Sequence, residues 1–267
     1  VSGVTAFETV LFIMQLIVLV PFIYLSGRLS KACQNSLPVS LFSFALISFV
    51  MQGLYWIVYN FLRPDTRMPF SAEEIAGSAV LLLLGACLVN AFPKEKKLNI
   101  PPLVFSVLFT GLNAALWIIW SGEWVQDIVF GLPYVYVIYV IVAGMWRRGF
   151  LKRYALIIAA AGLVCIYILG LISTYATKHV NFINALFYAV LFVFTLLVLF
   201  VDYRAFFCRD RATAEGAMYI SFMTFIWTAL VIYMCAGVYY AFANVFNIVA
   251  IPAMYFALKR WALDDLR

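Results

Sequence analysis

Five amides stand inside long apolar runs of this chain: Gln15, Gln52, Asn113, Asn244 and Asn247. An amide in hydrocarbon needs a hydrogen-bond partner, so each must face another helix or a polar cavity. In the orientation argued below, Gln15 lies about 12 Å below the outer end of its helix. Gln52 and Asn113 sit about 20 Å above the inner ends of theirs, and Asn244 and Asn247 about 9 to 14 Å down the last helix. All five therefore fall between the midplane and the outer surface. Tyr240, Asn244 and Asn247 follow i, i+4, i+7 and share one helix face. Two readings compete. Asn and Gln commonly tie membrane helices together; alternatively, these groups line an outward-open pocket with Tyr55, Trp56 and Tyr59. Apolar walls with a few convergent polar groups suit a small ligand.

The acids give less. Acidic pairs occur only at helix ends, as Glu73 with Glu74, Glu123 with Asp127, and Asp264 with Asp265. Glu123 and Asp127 are spaced i, i+4 where a helix begins, which suits the helix dipole and also suits a cationic ligand. A proton-driven pump would place a carboxylate deep in the bundle, and the expected spans hold none there. The single histidine, His179, excludes a bis-histidine haem, and no HExxH or Walker sequence is present. Five scattered cysteines lack metal spacing and read as inert thiols. No catalytic residue, metal site or cofactor is expected.

These residues must be positioned by membrane helices. Of the 267 residues, 66% are hydrophobic and only 11% charged, far from the balance of a soluble domain. Apolar runs long enough to span mark helices near 7–26, 39–62, 75–92, 101–120, 128–146, 154–174 and 181–201. The first has no basic leader segment and reads as a retained helix. The run from Met218 to Leu258 would reach roughly 60 Å as one helix. It must fold back near Ala236-Gly237, giving helices near 216–235 and 238–258.

This nine-helix, all-α polytopic bundle partitions charge. Fifteen of the 18 cations fall on one side, among them Arg28, Arg147, Arg148, Arg204, Lys259 and Arg260; only Arg63, Arg67 and Lys178 fall on the other. The positive-inside rule then places the N-terminus outside and the C-terminus inside a plasma membrane. It also explains the net charge of +6 as an inner-leaflet anchor, without a nucleic-acid partner. In the outer loop 62–74, Ser71 with Glu74 reads as a capping box. Residues 259–267 form a cytoplasmic tail, read either as a frayed terminus or as a rod leading to an output domain beyond Arg267.

The stretches "ETVLFIMQLIVLVPFIYLSGRLS", "MPFSAEEIAGSAVLLLLGACL" and "MYFALKRWALDDLR" together resemble the multi-pass N-terminal sensor region of bacterial sensor histidine kinases of the GHKL type. The resemblance is one of layout over most of the chain. It implies detection of an external signal and, if a kinase is driven, a homodimer; it carries over no catalytic residue.

The leading expectation is a membrane sensor or receptor that binds a small molecule or peptide from outside and signals through its last helix. The one-sided amide layer favours it, and the alternative is a small-solute transporter or permease subunit, whose site opens to both sides near the midplane. An intramembrane enzyme lacks its acid–base constellation. The lipid bilayer is the partner that composition demands.

Overall fold

A computed structural model describes residues 3–62, 72–92, 98–207 and 211–265. Among these residues nine helices are long and apolar enough to cross a bilayer, and there is no strand. They are α1 (Gly3–Ala32), α2 (Leu37–Leu62), α3 (Ala72–Ala91), α4 (Ile100–Ser121), α5 (Trp124–Arg147), α6 (Arg153–Tyr175), α7 (Val180–Phe207), α8 (Arg211–Tyr233) and α9 (Val238–Asp265). The chain is an integral membrane protein. Ser71, and with it the expected capping box, lies outside the described residues, as does the cluster at 94–97.

Helix ends follow local chemistry. Pro101 and Pro102 open α4, where a missing N–H costs nothing, and Gly122 closes it at φ 75° with its N–H on the Ile118 carbonyl. The turn expected near Ala236-Gly237 separates α8 from α9, with Gly237 at φ 58°, a conformation that strains any residue with a Cβ. Burial in this turn pushes the Cys235 thiol up to about 12, so it stays protonated and unreactive at neutral pH. α1, α7 and α9 run beyond the ends expected at 26, 201 and 258. Their apolar runs stop at charged residues, but the backbone ladder does not: long cations such as Arg28 and Lys259 can snorkel to the headgroups while remaining helical.

The helices gather into two compact units. One comprises residues 1–95 and 202–267, so it contains α1, α2, α3, α8, α9 and the last residues of α7. Here α2 packs on both α1 and α3, α9 packs on α8 and α1, and α3 touches α8. α8 is the best enclosed helix: Met218, Phe222, Ile226, Trp227 and Leu230 are all buried. Phe49 meets Phe225 edge-on at 5.2 Å and Phe42 meets Phe222 at 6.0 Å, joining α2 to α8. Nearer the α1–α2 turn, Ser30 bonds Ser40 and Ser43 donates to Ser26, both at 2.8 Å. Such hydroxyl pairs join membrane helices closely. Outward, α1 exposes Val10, Ile13, Ile17, Val20 and Tyr24 at helical spacing, an apolar stripe fit for lipid.

The second unit, residues 96–201, contains α4, α5, α6 and most of α7, with α4 packed on α5 and α6. Phe194 closes on Gly162, where an added Cβ would come within 3.1 Å of its ring. Trp120 donates to Thr174 at 2.9 Å, and Ser173 donates to Asn184. The α5–α6 and α6–α7 connections lie at opposite ends of α6, so they face opposite sides of a membrane. Single cysteines at Phe150 and His179, in a background without native cysteines, should therefore label from opposite sides with a membrane-impermeant maleimide. By the cation partition, the cysteine at 179 should be the external one.

Candidate functional site

The ten sequence-predicted site residues divide between the units. Gln52, Tyr55, Trp56, Tyr59, Tyr240, Asn244 and Asn247 belong to the first; Asn113, Glu123 and Asp127 belong to the second.

In the second unit, Glu123 and Asp127 build a turn. The Ser121 hydroxyl donates to Asp127 Oδ2 at 2.6 Å and accepts the Glu123 N–H at 3.0 Å. Asn113 is buried and donates to the Phe109 carbonyl of its own helix at 2.9 Å. The buried Tyr167 hydroxyl lies next to it without reaching hydrogen-bond geometry.

In the first unit, Tyr55, Trp56 and Tyr59 form an aromatic group on α2, with Tyr55 and Tyr59 stacked at 5.8 Å and Trp56 stacked on Phe12 at 6.2 Å. Gln52 donates to the Tyr233 hydroxyl at 3.4 Å and presses on Gly77, where a Cβ would stand 3.2 Å from its Nε2. Glycine at 77 therefore admits this amide between α2 and α3. Asn244 donates to the Tyr240 carbonyl at 2.8 Å. Asn247 donates across to α8, to Thr228 Oγ1 at 3.1 Å and the Phe225 carbonyl at 3.3 Å. For Asn247 the helix-joining role is directly visible. Tyr240 also lies within electrostatic reach of Glu8 and of the buried Glu73, so two carboxylates flank this end of α9.

The sequence reading placed no carboxylate inside the expected spans; the structure encloses one near the end of α7. Asp202 is 0% exposed, inside α7 and not in the loop expected after residue 201. The Ser221 hydroxyl of α8 donates to its Oδ1, and Thr224 lies on the same side. Thr224 gives its own proton to the Ile220 carbonyl at 2.9 Å, and Oδ2 has no hydrogen-bond partner among the described residues. The neighbouring Tyr203 hydroxyl donates to the Val249 carbonyl of α9 at 2.7 Å. Asp202 is thus a buried acid held between α7 and α8, with a single hydroxyl donor and no ion pair among the described residues.

It heads a polar file. Ser221, Thr224 and Thr228 follow i, i+3, i+7 on one face of α8, all buried. Thr228 receives Asn247, and Asn244 and Tyr240 continue along α9 toward Glu8 and Glu73. One signal for this was present in the sequence: three hydroxyl residues at helical spacing in an otherwise apolar run. Asp202 was hidden because "VDYRAFF" reads as the start of a charged loop. Among the described residues, no group of three or more His, Cys, Asp or Glu gathers to hold a metal ion. Comparison with protein-family models, with curated proteins and with solved structures finds no match.

Proposed function

We propose that this chain is a small-solute transporter or permease subunit of the plasma membrane that uses a cation held in its first unit. The observation that carries this reading is Asp202, fully buried in a membrane-spanning helix beside Ser221. An ionisable group in such a place is costly and is typical of substrate or ion pathways. A proton-driven pump keeps a carboxylate inside its bundle, and Asp202 is a group of that kind. The polar file along α8 and α9 extends from this acid to the two carboxylates near Tyr240, which gives a polar solute or ion partners along its way.

A second reading keeps the sensor, in the manner of the histidine-kinase sensor regions the chain resembles. It is favoured by α9, which runs unbroken from Val238 to Asp265 and carries Tyr240, Asn244 and Asn247 near one end. At the other end Trp261 packs on Phe92 at 5.8 Å and Ala262 is buried against Cys33. A ligand that changed the first end could move the second only by binding two states of the bundle differently.

Reconstituted into proteoliposomes on a solid-supported membrane, the protein should give transient currents with at least one solute from a panel of amino acids, sugars, small organic acids and small organic cations. Currents no larger than those of empty liposomes for every solute, at acidic and neutral pH, would overturn the transport reading in favour of the sensor.

A further inference from the structure

We propose that Asp202 is a proton-binding site, loaded while the carboxyl is enclosed against Ser221 and able to release its proton only when that enclosure opens. The inference deepens the transport reading, and rests on it only for the use made of the proton.

A carboxylate ion has room for about four hydrogen bonds, and this one receives one, from Ser221. Its other oxygen is enclosed and without a partner among the described residues. Among the described residues, the groups that could compensate a charge are committed or distant. On α8, Thr224 is spent on a helix carbonyl, Tyr219 is a neutral phenol two residues before Ser221, and the nearest residue with a charged side chain, Glu215, lies about 9 Å before Ser221 along the axis. On α9, no titratable side chain occurs between Tyr240 and Tyr255. On α7 itself, the Tyr203 hydroxyl is spent on Val249, and Arg204, two residues on, points to another face of the helix. A buried ion left in this state is strongly disfavoured.

Something must neutralise it, and a proton fits best. A proton needs no coordination shell. A metal cation would need several oxygens, and among the described residues only the Ser221 and Thr224 hydroxyls are near the carboxyl, the surrounding helix carbonyls being engaged in their own ladders. With the proton on, the acid is neutral and gains a donor. The step balances simply: the O–H bond of the carboxyl breaks, the proton passes to a water or a basic solute admitted when the enclosure opens, and the carboxylate is left exposed to that solvent. Thr224 and Thr228 both give their protons to helix carbonyls, so in this arrangement neither hydroxyl hands a proton along the file. The proton is retained until this enclosure opens.

Infrared spectroscopy of the purified full chain in nanodiscs, in the absence of any solute, tests this directly. At neutral pH the wild type should show the carbonyl stretch of a protonated carboxylic acid, shifted by deuterium oxide. The band should vanish in Asp202→Asn, persist in Glu73→Gln and Glu8→Gln, and move in frequency in Ser221→Ala, which removes its hydrogen bond. Asparagine is close to isosteric with the protonated acid, and an unchanged size-exclusion profile verifies the fold. A wild type without the band, a band that survives Asp202→Asn, or stabilisation against heat by sodium but not choline that Asp202→Asn abolishes would each overturn the proton site. Failure of the transport reading is separate: a protein that carries the band but passes no current loses transport and keeps the site.

Discussion

An Asp202→Asn variant should fold as the wild type does and lose at least about tenfold of any solute-driven current, a rise of about 1.4 kcal/mol in the limiting barrier. Asparagine preserves the shape and still offers an oxygen to Ser221, the one hydroxyl that donates to the acid. The stability change should therefore stay within about 1.5 kcal/mol, the net worth of a typical hydrogen bond. It cannot exchange a proton, so every cycle that needs loading and unloading of this site stops. Asp202→Glu should retain part of the current, because the exchangeable group survives at a shifted position. Currents from the asparagine variant equal to those of the wild type would remove Asp202 from the transport cycle.

The largest loss of stability should come from Trp227→Ala. Trp227 is among the largest fully buried side chains, on the best enclosed helix. Within a bilayer, the transfer of apolar surface contributes little, since lipid is as apolar as the protein interior. The cavity is what remains. At about 24 cal/mol per Å³ of unfilled space, a void of roughly 130 Å³ costs about 3 kcal/mol. Phe182→Ala provides the contrast, because Phe182 is 71% exposed on α7 and its removal should change stability by no more than about 0.5 kcal/mol. Unfolding in mixed micelles measures both. Equal losses from the two variants would contradict the packing described for α8.

What the sequence determined by itself is the set of crossings. A helix must satisfy its own backbone in hydrocarbon, so run length alone marks a span, and the 41-residue run from Met218 to Leu258 had to break near Gly237. The site was legible only in its amides. Asn247 does reach across to α8, while Asn113 belongs to another unit than Asn244. Facing could not be read. In α7, Leu191 and Thr195 are buried while Val193 and Phe200 are exposed, yet all lie in one apolar run, because lipid and protein interior select the same residues and erase the amphipathic period. Tertiary structure alone decided the rest. It sorted the helices into two units, and it carried α7 past Val201, turning Asp202 from an apparent loop residue into a buried acid. Helix ends in a membrane are set by packing and by side chains that snorkel, and a charge is placed by the neighbours that meet it, which one-dimensional composition does not contain.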